Sequence, residues 1–180
     1  MKLALLDRDG VVLVNRPTNV KTAADISLIE GSAEAISRLN GAGFTVAICT
    51  NQPEVARGAM TLAQLENVHT ALLLRLREQG AMVDHVFACT SASKNPRRKP
   101  CGGMLREALE RYGARSDQTP FVGDQADDLK AAFHVGCRRV LVKTGLGAKA
   151  LATGFPDYVH PFAVYDNLLT AALGLLRGMV

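Results

Sequence analysis

Tryptophan is absent from the 180 residues, and all aromatic side chains together make up 5%. So few rings argue against a stacking platform for single-stranded nucleic acid, which needs aromatic faces beneath successive bases. No apolar run reaches the about 20 residues needed to cross a bilayer. The apolar run Leu3–Leu6 ends too early for a secretory leader. Cysteine is scarce: Cys49, Cys89, Cys101 and Cys137 form neither a dense disulfide framework nor paired C-x-x-C clips. The expectation is a soluble, cytoplasmic protein with reduced thiols and neither a membrane nor a nucleic-acid partner. Charge of one sign is not in large excess, since 21 basic residues face 17 acidic ones for a net +4. A balance of this size permits an anionic ligand without demonstrating one, and a mildly basic solvated surface is the plainer account. Repeats, low-complexity tracts and long linkers are missing too.

What is present has globular proportions: 48% hydrophobic and 21% charged residues. The length suits one domain of roughly 100–200 residues, read as residues 1–180, in a monomer. Short apolar runs alternate with amphipathic stretches. Leu3–Leu6, Phe44–Cys49, Val83–Cys89, Pro120–Val122 and Arg139–Val142 read as strands. Ser32–Leu39, Thr61–Gln79, Met104–Tyr112, Asp127–Val135 and Asn167–Leu176 read as helices. Gly41, Gly113 and Gly136 stand where three of these helices should stop, and Thr61 with Gln64 fits a capping box. The alternation predicts an α/β fold, a doubly wound parallel sheet of strand order 3-2-1-4-5. The segment 11–29 is the least regular, an unusually long loop after the first strand.

Chemistry-bearing residues stand at the strand ends. Asp7-Arg8-Asp9-Gly10-Val11 follows the first strand. Two carboxylates so close repel each other unless they serve one cation, and Mg²⁺ takes such oxygens. A polar turn is the plainer account of that segment alone. Thr50-Asn51-Gln52 follows the second strand and offers a hydroxyl and two amides, suited to phosphate oxygens or to an ordinary turn. Arg97-Arg98-Lys99-Pro100 precedes a helix, as a phosphoryl-neutralising group or a solvated basic loop. Gly123-Asp124 follows the fourth strand, with Asp127 and Asp128 beyond, one of which reads as a helix N-cap. In the expected strand order the first, second and fourth strand ends meet at the topological switch point, where ligands bind. Thr50, Asp7 and Asp124 thus converge from distant positions.

The ordered set D-x-D-G-V, T-N-Q, R-K-P and G-D-x-x-x-D resembles the haloacid dehalogenase-like phosphatase superfamily. With Ala56-Arg57-Gly58 it is similar to the branch holding D-glycero-D-manno-heptose 1,7-bisphosphate and histidinol-phosphate phosphatases. The resemblance runs from Lys2 to about Leu146. It implies a Mg²⁺-dependent phosphatase for a small phosphorylated metabolite, heptose bisphosphate first and histidinol phosphate or another sugar phosphate as the alternative. Asp7 would be the nucleophile and Asp9 the acid and base. Mg²⁺ would be held by the Asp7 and Asp124 carboxylates and the Asp9 carbonyl. Thr50 and Lys99 would stabilise the transferring group, Asn51 and Arg98 would bind substrate, and Arg57 matches a further binding position. Asp128 would orient the site from behind. The short intervals between motifs imply no large cap domain.

Three departures from that pattern stand out. Relatives hold zinc through C-x-H and C-x-C before R-K-P; here Cys89 remains, while Ser91, Asn95 and Arg97 replace the other ligands, so no zinc is expected. Leu13 replaces an asparagine, with Asn15 nearby as a substitute. Pro53-Glu54 replaces Ser-Gly, which sets an acid beside a phosphate site. Gly145-Leu146-Gly147-Ala148-Lys149-Ala150 mimics a dinucleotide fingerprint, with Asp166 downstream. A second strand before the terminal helix is not evident, so this segment reads as a loop beside the phosphatase site. A binding protein without catalysis on the same fold is the reading from a different class. The intact Asp7, Asp9, Thr50, Lys99 and Asp124 oppose it.

Overall fold

Strand β1 (Lys2–Leu6) is apolar on both faces, and the fold buries both. Successive strand side chains point to opposite sides. Ala4 and Leu6 enter one core cluster, Leu3 and Leu5 the other. A strand of this kind belongs inside a parallel sheet covered by helices above and below. The computed structural model, which describes residues 1–16 and 20–178, has that architecture. Five more strands follow: β2 (Phe44–Asn51), β3 (His85–Cys89), β4 (Pro120–Gly123), β5 (Arg138–Val142) and β6 (Ala163–Tyr165). The sheet order is β3-β2-β1-β4-β5-β6, with every neighbouring pair parallel.

The helices are α1 (Ser32–Gly41), α2 (Leu62–Glu78), α3 (Gly103–Tyr112), α4 (Ala126–Val135), α5 (Gly147–Thr153) and α6 (Leu168–Leu176). Ile36 and Leu39 of α1, Leu65 and Leu72 of α2, and Leu168 of α6 pack on Ala4, Leu6, Val46 and Ile48. On the other face Met104 and Leu105 of α3 and Ala131 of α4 cover Leu3, Leu5, Cys49 and Phe121. Burying each large side chain of this kind contributes about 1.5–3 kcal/mol. The described chain between β1 and β2 holds a loop, a single 3-10 turn and α1, and only α2 separates β2 from β3. No large cap intervenes at either place.

Four details differ from the sequence expectation. The sheet has a sixth strand, because Ala163–Tyr165 pairs with β5 from Val140 to Val142. Three residues are too few to register as an apolar run. Between β5 and β6 lies α5, so a βαβ unit does follow Gly145, and the ground for setting aside the fingerprint was mistaken. The glycines there answer a different need: Gly145 lies against the Asp124 carboxylate, and Gly147 lies against the Val142 carbonyl, each too close for a Cβ. Helix α1 runs through Gly41, and the turn falls at Gly43, whose φ of 81° is left-handed. Helix α4 is capped by Gln125, not by Asp127 or Asp128.

Candidate active site

The carboxyl ends of β1, β2 and β4 lie side by side, so the chain just past each strand meets at one cleft. Asp7, Asp9, Asn15, Thr50, Asn51, Arg98, Lys99 and Asp128 line this cleft of about 210 Å³, together with Pro53, Gln125 and Asp127. Helix α4 begins after β4 and carries Asp128 in its first turn. Its Oδ2 accepts from the backbone N–H groups of Asp124 and Gln125, at 3.1 and 3.0 Å. Its Oδ1 lies 2.7 Å from Lys99 Nζ, which also meets Asp7 Oδ1 at 2.8 Å. The side chains of Asp7, Lys99, Asp124 and Asp128 are all buried.

Lys99 arrives from the loop before α3, and Asn51 fixes it there. Asn51 Nδ2 donates to the Lys99 carbonyl and Oδ1 accepts from the Lys99 N–H, each at 3.0 Å. Both ends of the Asn51 amide are therefore engaged with the Lys99 backbone, in a residue that also lines the cleft. Arg98 lines the cleft and donates from Nη1 to the Ser91 carbonyl. Thr50 is buried at the end of β2, where its Oγ1 accepts from Gln52 Nε2 at 2.8 Å. The same Nε2 reaches Asp9 Oδ2 at 2.9 Å.

Asp7, Asp124 and Asp128 bring carboxylate oxygens within 4.8 Å of one another. With all three carboxylates ionised, the Lys99 ammonium that meets Asp7 and Asp128 leaves this buried cluster of four described side chains at a formal charge of −2. Such an excess is costly without a counter-cation. Asp124 Oδ2 accepts from the Leu146 N–H at 2.8 Å, whereas Oδ1 is buried with no hydrogen-bond partner. A hard divalent cation suits this oxygen set in charge and in donor type. Burial pushes the Asp7 carboxyl up to about 8; Lys99 opposes this, and Asp128 and Asp124 reinforce it. Burial, then Asp128, raises Asp124 to about 7, against the Leu146 N–H bond. Burial alone would lower the Lys99 ammonium, but Asp128 and Asp7 outweigh it and hold it above the ordinary lysine value. Perturbed groups concentrated in one cleft are the electrostatic mark of a functional site.

The backbone makes room for this cluster at two glycines. Gly10, at φ 88°, and Gly145, at φ 59°, both face Asp124, and a Cβ on either would strike its carboxylate. Thr144 Oγ1 donates to the Gly10 carbonyl at 2.7 Å and ties the two loops together.

Other expected residues fall elsewhere. Arg57 lies outside the cleft lining, its Nη1 2.8 Å from Glu54 Oε1, so the acid after T-N-Q is neutralised by the chain itself. Leu13 is fully buried in the core, and it is Asn15 that borders the cleft. Of the zinc-loop positions, Cys89 is buried at the end of β3, Ser91 Oγ donates to the Ser93 carbonyl, Asn95 Oδ1 accepts from the Arg97 N–H, and Arg97 pairs with Glu107. Asp166 is paired with Lys143 at 2.7 Å. The sequence reading passed over Arg8 and His69, which meet behind Asp9. An arginine between two aspartates at a strand exit was the available signal; His69, on the helical period of α2, gave none.

Comparison with known proteins agrees with this geometry. Residues 96–171 match the HAD-hydrolase-like family model. The D-glycero-beta-D-manno-heptose-1,7-bisphosphate 7-phosphatase of Pseudomonas putida is 41% identical over 178 residues, covering 98% of this chain and 100% of that one. The Bordetella bronchiseptica protein of the same name is 40% identical, with 98% and 99% covered. A crystal structure of D,D-heptose 1,7-bisphosphate phosphatase from B. bronchiseptica, complexed with magnesium and phosphate, superposes with a TM-score of 0.93 at 38% identity over 99% of each chain. Likeness of this extent, spanning every motif of the cleft, shows that the chain belongs to the heptose-bisphosphate phosphatase family of haloacid dehalogenase-like hydrolases.

Proposed function

We propose that this chain is a Mg²⁺-dependent phosphatase that removes the 7-phosphate of D-glycero-D-manno-heptose 1,7-bisphosphate. The observation that carries the reading is the buried group of Asp7, Asp124 and Asp128 around Lys99, in a chain alike end to end to relatives of that name. Shared sheet and core among the described residues support one catalytic domain over 1–180. Free thiols at Cys49, Cys89, Cys101 and Cys137 are in keeping with a reducing, cytoplasmic setting.

Asp7 is the nucleophile. One of its oxygens faces Lys99, which leaves the other to attack phosphorus in line with the leaving oxygen. As the Asp7–phosphorus bond forms, the bond to the sugar oxygen breaks, and Asp9 gives that oxygen its proton. In the second step Asp9 takes a proton from water as the water oxygen bonds phosphorus. Asp7 is released, and inorganic phosphate leaves. Lys99 and Thr50 stabilise charge on the transferring oxygens. The Asp7 and Asp124 carboxylates and the Asp9 carbonyl would hold Mg²⁺, which when bound draws charge from phosphoryl oxygens and offsets their repulsion of the nucleophile.

The test is phosphate release from both anomers of heptose 1,7-bisphosphate, histidinol phosphate and hexose phosphates, with Mg²⁺ and with EDTA. The expected result is Mg²⁺-dependent release favouring one heptose anomer by about a hundredfold, roughly 3 kcal/mol of transition-state stabilisation. Asp7→Asn should abolish it. A flat profile would reject the heptose assignment, and release that ignores both EDTA and Asp7→Asn would reject the mechanism.

A further inference from the structure

The carboxylate of Asp9 does not stand alone in the cleft. Arg8 Nε lies 3.0 Å from its Oδ2 and Arg8 Nη2 lies 3.1 Å from its Oδ1. Neighbouring side chains on an extended strand point apart. These two meet because the chain turns at once, with the Arg8 carbonyl accepting from the N–H groups of Val12 and Leu13. The Arg8 side chain is 1% exposed, so its guanidinium must find partners inside the protein. Nε and Nη2 are matched by Asp9. The remaining nitrogen, Nη1, lies 3.1 Å from His69 Nε2 on α2. An arginine only donates, so this imidazole nitrogen accepts, and the ring carries its proton on Nδ1. Burial, with Arg8 second, pushes His69 down to about 4, which keeps the ring neutral and able to accept.

We propose that His69 is a positioning residue for the reaction: by accepting from Arg8 it locks the guanidinium fork that orients the Asp9 carboxylate toward the leaving oxygen. The proposal rests on the reading of Asp9 as acid and base. Without the acceptor, Nη1 has no partner in a buried place, and the fork must rotate to find one. Asp9 turns with it, because the fork holds both of its oxygens while Gln52 Nε2, at 2.9 Å, holds Oδ2 alone. Of the groups that meet the phosphoryl oxygens, Lys99 is held separately by Asn51, and Thr50 accepts from Gln52 Nε2 within its own strand end, a bond that does not involve Arg8. Proton delivery should therefore suffer, and phosphate binding should not.

Leaving groups distinguish this role from general damage. A sugar oxygen needs its proton as it departs, whereas p-nitrophenolate departs without help. In the magnesium-loaded enzyme, His69→Phe should lower kcat/KM for heptose 1,7-bisphosphate by about tenfold or more, a fraction of the about 10²–10⁴-fold that general acid catalysis supplies. For p-nitrophenyl phosphate the change should stay within about twofold. His69→Gln, whose amide oxygen can replace Nε2, should recover most of the loss. If His69→Phe does not fold, His69→Asn, too short to reach Arg8, takes its place with the same expectation. Equal losses on both substrates, no loss on the sugar phosphate, or no recovery with glutamine would each overturn the proposal. A readout free of turnover accompanies it. The Arg8 guanidinium protons should exchange slowly by NMR in wild type and His69→Gln, and rapidly in His69→Phe. Slow exchange without discrimination between leaving groups would reject only the positioning role. Absence of Mg²⁺-dependent release by the wild type would reject the phosphatase reading and this one with it.

Discussion

Asn51 grips the Lys99 backbone with a donor and an acceptor, and Lys99 in turn bridges Asp7 and Asp128. Removing that amide leaves the lysine's own N–H and carbonyl without partners, at a cost of about 1–3 kcal/mol. Asn51→Ala should therefore lower kcat by about tenfold or more and reduce stability by a similar 1–3 kcal/mol, read by steady-state kinetics and urea unfolding. Asn51→Asp keeps the acceptor, loses the donor, and should fall between the two. Had the side chain bound substrate, KM would carry the loss and unfolding would be unchanged. The sequence offered the residue but not its hold on the lysine backbone. T-N-Q announces polar groups at a strand end, yet only the fold brings residue 99 within reach of residue 51. Arg57 was equally visible, and its partner Glu54 was named beside it, but the pairing depends on a turn that spacing does not reveal.

Among the elements, the loop from β5 into α5 has the tightest fit. Gly145 is left-handed and faces the Gly10 backbone and the Asp124 carboxylate, while Leu146 donates to that carboxylate. An alanine at 145 must displace Asp124 or unwind the loop, with a backbone strain of about 1–3 kcal/mol. Gly145→Ala should raise the Mg²⁺ concentration needed for half-maximal activity by about tenfold (about 1.4 kcal/mol) and lower Tm. Titrating activity against Mg²⁺ at fixed substrate measures the first, and a thermal melt the second. The five longer strands and their helices were legible because apolar runs and helical spacing are strong signals. Strand β6 and helix α5 were not, since the first has three residues and the second opens on glycine. The paired glycines were noticed for a different chemistry. Their actual use, Gly145 closing on the Asp124 carboxylate and Gly147 on the Val142 carbonyl, leaves no periodic trace.

At the scale of the whole molecule, buried acids tie stability to pH and to metal. Asp7 is raised to about 8 and Asp124 to about 7, whereas both ionise near 4 in an unfolded chain. A folded value above the unfolded one means that the unfolded state releases its protons first. The metal-free protein should thus lose stability as pH climbs from about 4 toward 8. Mg²⁺ needs the ionised carboxylates, so its stabilising effect should grow over the same interval. At a hundredfold excess over Kd that effect is about 2.7 kcal/mol. Thermal melts at pH 6 and pH 8, with Mg²⁺ and with EDTA, should show the larger gain at pH 8, and Asp124→Asn should remove it. An equal gain at both values would mean that the acids are already ionised without metal.

Strand β1 lies between β2 and β4, so Asp7 has one neighbour from early in the chain and another from beyond residue 120. A chain leaving the ribosome can zip β1 to β2 long before Asp124 exists. Until β4 slots in on the open flank, the nascent protein carries Asp7 and Lys99 without Asp124 or Asp128, the other two acids of the buried cluster. It cannot hydrolyse passing phosphate esters half-built. Return of Mg²⁺-dependent turnover during refolding should accordingly trail the first compaction, marking the moment the last central strand docks.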